Sequence, residues 1–267
     1  MPATIVRVDD ASDPALDPYL RIRERDLGRS DAFVAESEVV VRVLAMQSPY
    51  RIRSLLLEER RVDALRDVVD RQAEDVSAFV VPQKVMDAVV GFHIHRGVLA
   101  LADRGDAIHP ETLLLQARGI VLGLVGLTNH DNVGGIFRNA AAFGVRGVLL
   151  DSETCDPLYR KAVRVSVGGA LVVPFARCES IETMLDVIAR AGFDVVGLTP
   201  RGEATIDALP PAERRVVLLG TEGDGLPARV LDRVRGVRID MAATLDSLNV
   251  AVASGIALHS LFRATRA

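Results

Sequence analysis

Between Gly119 and Met241 short apolar runs alternate with helical patterns. GIVLGLVG, GVLLD, LVVPF, FDVVGL, RRVVLLG and VRIDM are separated by segments such as IETMLDVIARAG. Apolar runs without polar alternation imply strands buried on both faces, which a mainly parallel sheet with helices on both sides provides. Ligands in such α/β sheets sit beyond the carboxyl ends of the strands, so the loops that follow strands are where chemistry is to be sought. The N-terminal part alternates as well. FVAESEVVVRVLA (33–45) has helical spacing behind a polar start, IRSLLLEE reads as a strand, DALRDVVDRQA as a helix, SAFVVP as a strand, QKVMDAVVG as a helix and GVLALADR as a strand. The expectation is a small α/β domain over residues 1–105, a connection over 106–118 that contains a His-Pro, and a second domain over 119–267.

Composition narrows the class. With 49% hydrophobic and 25% charged residues in 267 the chain is globular. The apolar run from Gly119 to Leu127 is about half a membrane span, and MPATIVRVDD lacks the apolar core of a signal peptide, so a cytoplasmic protein is expected. Cys155 and Cys178 have no metal-like spacing and read as small buried hydrophobes; no metal site is expected. Net charge is −4, with 15 basic against 18 acidic residues in 1–105 and 17 against 18 in the remainder, which excludes indiscriminate polyanion binding. The arginine groups Arg21 to Arg29 and Arg51 to Arg61 are interleaved with acids and read as solvated helix faces. His93 and His95 alternate on an extended segment without a third ligand and read as an edge strand.

Three polar loops follow strands at one sheet edge. In LTNHDNVGGIFRNAAAFG, Asn132 can cap a helix, Gly134 and Gly135 permit close approach of another backbone, and Arg138 stands one turn beyond Gly134, an arrangement that suits an anion. LLGTEGDGLP has three glycines but not the G-x-G-x-x-G order of a dinucleotide site, and Glu222 and Asp224 would repel a pyrophosphate. That disfavours a nucleotide-dependent oxidoreductase and suits a cationic or donor-rich ligand. In DSLNVAVASGIALHSLF, Ser247 and Asn249 open a helix whose stripe from Val250 to Leu261 is expected to pack in the core and at a dimer face. Together the three loops predict one composite site.

NVGGIFR, GTEGDGL and SLNVAVA, in that order, resemble the three motifs of the SpoU (TrmH-like) branch of the SPOUT RNA methyltransferases, over about residues 118–267. DAFVAESEVVVRVLA and GVLALADR are similar to the small ribosomal-protein-like substrate-binding module that many such enzymes carry. The resemblance implies an α/β sheet with a C-terminal trefoil knot, bound S-adenosyl-L-methionine and a homodimer. The implied reaction is methylation of a ribose 2′-hydroxyl, with ribosomal RNA favoured over transfer RNA. It associates Asn132, Arg138, Glu222, Ser247 and Asn249 with catalysis and active-site architecture, and Leu198, Thr199, Gly220, Ile239 and Leu248 with the cofactor. Arg160, Lys161 and Arg164 in YRKAVRVSVGG stand where the family has a basic RNA-facing segment. Where the family often has Asp-Pro or Asn-Pro before the motif Asn, this chain has His130-Asp131, and His130 reads as a loop residue without a role, with RNA contact the alternative. Since no histidine lies in a motif core and arginine stays protonated, Arg138 is expected to bind phosphate and orient the nucleophile. A catalytically silent RNA-binding protein on the same scaffold is the alternative from another class.

Overall fold

A computed structural model describes residues 3–20, 31–91, 97–242 and 247–264. The arginines from Arg21 to Arg29, His93, His95 and Asp246 lie outside the described residues. The N-terminal elements are β1 (Thr4–Arg7), α1 (Asp17–Leu20), β2 (Ala32–Glu36), α2 (Glu38–Gln47), β3 (Ile52–Glu58), α3 (Arg66–Asp70), β4 (Ser77–Val81), α4 (Gln83–Val90) and β5 (Val98–Asp103). There follow α5 (Pro110–Gln116), β6 (Gly119–Leu124), α6 (His130–Ala142), β7 (Gly147–Leu150), α7 (Arg160–Val165), α8 (Gly169–Val172), β8 (Phe175–Arg177) and α9 (Ile181–Ala191). The last are β9 (Asp194–Leu198), β10 (Ala204–Thr205), β11 (Arg214–Leu219), α10 (Ala228–Leu231), β12 (Arg235–Arg238) and α11 (Val250–Ala264).

The chain divides into two compact units, residues 1–106 with 158–172, and residues 107–157 with 173–267. This differs from the contiguous domains expected from sequence. In the first unit a mixed sheet runs β1-β4-β3-β5-β2, with β1, β4 and β3 parallel and β5 antiparallel to both β3 and β2. Its core includes Leu16, Tyr19, Val34, Leu56, Met86 and Leu99. The helix expected over 33–45 is a strand followed by a helix. All five residues of β2 are buried, and Ser37, at a φ of 87°, breaks the chain between the two elements. Arg51 and Arg53 are not on a helix face but at and within β3, where Arg51 pairs with Asp75 and Arg53 pairs with Asp31 at 2.6 Å and with Asp103.

Residues 158–172 join this unit through charge and close packing. The buried Glu36 lies 3.6 Å from both Arg160 Nε and Arg164 Nη1, on successive turns of α7. Gly168, at a φ of 85°, sits where a Cβ would stand 2.8 Å from a Val43 methyl. The expected strand LVVPF is the end of α8 followed by β8, which starts only at Phe175.

In the second unit seven strands run β10-β12-β9-β11-β6-β7-β8, every described pairing parallel. From β6 the chain steps outward to β7 and β8, then crosses to β9, and β11 inserts between β9 and β6. The direction of winding therefore reverses between β6 and β11, the position where parallel sheets open a crevice at their carboxyl ends. Residues 106–118, expected as a connection, carry α5, whose Leu113 and Leu114 are buried in one core with Met184, Leu185 and Ile188 of α9. Pro110 at its first turn and apolar residues facing α9 make this a helix rather than a linker.

Candidate active site

The loops after β9, β11 and β12 and the opening of α11 enclose a cavity of about 250 Å³. Leu198 and Thr199 line it from the end of β9, Gly220 and Glu222 from the loop after β11, Ile239 from beyond β12, and Ser247, Leu248 and Asn249 from the approach to α11. All five residues that the resemblance associates with a cofactor are thus brought together, with Glu222, Ser247 and Asn249 among them. Thr221, Pro200 and Met241, which the sequence reading passed over, line the same space; their signal was adjacency to motif positions.

Backbone geometry shapes the β11 loop. Thr221 and Gly225 exchange N–H···O=C bonds of 3.2 and 3.1 Å, folding Glu222, Gly223 and Asp224 into a tight tip. Gly220 lies so close to the returning arm of the loop that a Cβ there would stand 2.3 Å from the Gly225 carbonyl carbon and 2.4 Å from Leu226 N. Leu219, Leu248, Ile239 and Met241 supply apolar wall, while the loop backbones supply hydrogen-bonding groups and Glu222 a carboxylate. Such a lining suits a ligand with a flat, weakly polar ring and a cationic centre.

Asn132, Glu222 and Asn249 form a closed hydrogen-bonded triangle. Asn132 Nδ2 donates to Glu222 Oε1 at 2.6 Å, Asn249 Nδ2 donates to the same oxygen at 2.6 Å and to Asn132 Oδ1 at 2.9 Å. The other end of the Asn249 amide caps α11, its Oδ1 accepting from Ala251 N at 3.0 Å and Val252 N at 3.2 Å. One side chain therefore opens the helix and joins the triangle. Asn132 itself is not a cap as expected. Asn129 caps α6 by accepting from Asp131 N, and Asn132 is buried in the first turn, where its amide reaches across to the other two loops.

Helices α6 and α11 pack tightly, which holds the triangle in register. A Cβ on Gly135 would stand 2.8 Å from the Ala251 Cβ, and Asn139 Nδ2 donates to Ala251 O at 2.7 Å and Ser254 Oγ at 3.0 Å. Arg138 is not part of this cluster. Six positions beyond Asn132 it projects about 120° away around α6, is exposed, and makes no hydrogen bond or ion pair among the described residues.

The sequence profile of the SpoU rRNA Methylase family matches residues 119–259, more than half of the chain. The chain belongs to the SpoU rRNA methylase family. An uncharacterized tRNA/rRNA methyltransferase of Mycobacterium tuberculosis is 38% identical to it over 268 residues, covering 96% of this chain and 91% of that protein. Among solved structures, the AdoMet-bound rRNA methyltransferase of Sinorhizobium meliloti matches with a TM-score of 0.82 at 23% identity, over 97% of this chain and 98% of that one. The SpoU methyltransferase AviRb of Streptomyces viridochromogenes, in complex with AdoMet, matches with a TM-score of 0.80 at 23% identity, over 95% and 99%. At that identity the two structures speak for the fold, an α/β architecture with a mostly parallel sheet. In this SpoU chain the three motif loops are the three that meet at the triangle. Arg160, Lys161 and Arg164 are on α7, in the segment that groups with the first unit. Arg160 is largely covered beside Glu36, so its role within that unit is first of all an ion pair.

Proposed function

We propose that the chain is an S-adenosylmethionine-dependent RNA methyltransferase acting on a ribose 2′-hydroxyl, with ribosomal RNA the favoured substrate and transfer RNA the alternative. The observation that carries this reading is the Asn132–Glu222–Asn249 triangle set at the mouth of an apolar, backbone-lined cavity. The AdoMet complexes of the two structural neighbours support the cofactor assignment, and the residues present fit it. Leu198, Ile239 and Leu248 offer apolar contact to an adenine ring, and Glu222 offers a carboxylate near a sulfonium.

The bound cofactor supplies an activated methyl group. The protein's own residues then have to hold a ribose against it. Both amide donors of the triangle fall on Glu222 Oε1, and Oε2 takes no hydrogen bond among the described residues, which leaves an acceptor for a hydroxyl donor. Held by two amides, the carboxylate stays in one orientation, and fixing it in advance lowers the entropic part of the barrier. Arg138, always protonated, binds the phosphate beside the target ribose and orients the nucleophile. Its exposure and distance from the triangle's face of α6 favour a homodimer in which a second copy's Arg138 completes the site. The exposed Val252 and Ile256 stripe on α11 supports the same arrangement. The insertion of β11 between β9 and β6, with the C-terminal segment returning to the β11 loop, supports the trefoil knot. The first unit is assigned to RNA binding, with Arg164 and Lys161 its candidate contacts, and the protein to the cytoplasm; no described helix is long and apolar enough to cross a membrane.

The test is transfer of labelled methyl from S-adenosylmethionine to ribosomal and transfer RNA, with 2′-O-methyl mapping of the products. Label at a ribose of ribosomal RNA is expected. Label confined to transfer RNA selects the alternative substrate, and label on a base or on neither RNA refutes the reading.

A further inference from the structure

Behind the first motif loop lies a buried polar latch that joins the carboxyl ends of three neighbouring strands. Asp151, at the end of β7 and 5% exposed, accepts from Gly126 N through Oδ2 at 2.9 Å, and through Oδ1 from Thr154 N at 2.8 Å and Thr154 Oγ at 2.7 Å. Thr154, 2% exposed, in turn accepts from Leu127 N at 3.3 Å, and Cys155 N donates to Leu127 O at 2.8 Å. From the end of β8, Arg177 Nη1 donates to the carbonyls of Asp151 and Thr154 at 2.6 and 2.8 Å.

The latch grips the backbone where it leaves the sheet ladder. Beyond Val125, whose N–H still reaches Leu219 O, Gly126 turns at a φ of 68° and the next regular bond belongs to the Asn129 cap of α6. In that gap Asp151 and Thr154 take the N–H groups of Gly126 and Leu127. An ionised carboxylate fits because three donors converge on it and it has only acceptors to offer. We propose that Asp151 is a positioning residue for methyl transfer. By fixing Gly126 and Leu127 it sets where α6 begins, and hence where the Asn132 amide meets Glu222 and Asn249. The inference rests on the reading that this triangle belongs to the transfer site. It concerns a residue that touches neither the cavity nor the triangle.

Asp151→Asn keeps the shape but turns an amide N–H toward one of the three donors. The expected result is a fall in kcat of about 10- to 100-fold, the scale on which small misplacement acts, with S-adenosylmethionine affinity unchanged because none of Gly126, Leu127, Asp151 and Thr154 lines its cavity. The Asn132 side-chain amide resonance should move in the same variant. Thr154→Ser, which retains the hydroxyl, should keep kcat, and Thr154→Val should lower it; this pair decides if the Asp151 variant does not fold. Leu185→Ala, in the core on α9, serves as a control of reduced stability. Unchanged kcat and an unmoved Asn132 resonance in Asp151→Asn overturn the inference. So does a loss of kcat that Leu185→Ala reproduces, or one matched by an equal loss of cofactor affinity. If the unaltered protein transfers no methyl group, the functional reading fails, and the Asn132 resonance alone decides whether the latch positions it.

Discussion

Asn249 carries two jobs on the two ends of one amide, and substitution can separate them. Asn249→Ser keeps an oxygen able to cap α11, since Ser and Asn are comparable caps, but it is too short to donate to Glu222 and Asn132. The cost should be about 1 kcal/mol, the net worth of the partly exposed hydrogen bonds removed. Asn249→Asp also keeps the cap, but sets a second carboxylate where Asn249 Nδ2 and Glu222 Oε1 now stand 2.6 Å apart. With Glu222 exposed and solvent screening strong, repulsion adds about 1 to 2 kcal/mol. Like charge raises the folded-state pKa of one member of that pair above its unfolded value. The penalty is therefore full at neutral pH and is relieved as pH falls into the carboxylate range. Urea unfolding at pH 7.5 and pH 4.5 should show Asn249→Asp well below Asn249→Ser at the higher pH and level with it at the lower. Methyl transfer should be lost in both variants. An Asn249→Asp protein as stable and active as the parent at pH 7.5 would refute the shared-amide argument.

Three further outcomes follow from the geometry. Gly220→Ala forces a Cβ against the Gly225 and Leu226 backbone, which cannot yield as a side chain would; stability should drop by about 1 to 3 kcal/mol, and calorimetry should find S-adenosylmethionine binding abolished. Arg138→Ala, at an exposed site without a partner among the described residues, should leave the unfolding free energy within about 0.5 kcal/mol of the parent while raising KM for RNA; an unchanged KM contradicts its phosphate role. Burial pushes the thiols of Cys155 and Cys178 up to about 11 from an ordinary 9.0, so the fold disfavours thiolate relative to the unfolded chain. Their stabilising contribution is complete below pH 9 and is lost as pH climbs toward 11. The urea midpoint should decline across that window, and native iodoacetamide labelling at pH 8 should be slow; rapid labelling would contradict the burial.

Much of the second unit was legible because its strands are short apolar runs between helices. A run such as RRVVLLG or GVLLD reports burial on both faces whatever its neighbours, so the parallel sheet follows from local pattern. The loop residues at strand ends were legible for the same reason, and Leu198, Thr199, Gly220, Ile239 and Leu248 do line one cavity. Misreadings arose where local pattern is ambiguous. AFVAE ran into EVVVRVLA and took on its helical period, although long-range pairing with β5 makes it a strand. PETLLLQ looked like a connection because its apolar face is recognisable only once α9 is beside it.

Sequence alone determined most strands of the second unit's sheet, the three loops and the kinds of chemical group they carry. Only tertiary structure decided which groups meet. Asn132 and Asn249 are 117 positions apart and reach the same Glu222 oxygen because β11 inserts beside β6, an arrangement no local period encodes. It also decided that Asn129, not Asn132, caps α6, and that residues 158–172 belong with the first unit through Glu36. Periodicity records how each segment is buried; hydrogen bonds and ion pairs between distant segments depend on strand order and chain path, which are properties of the assembled fold.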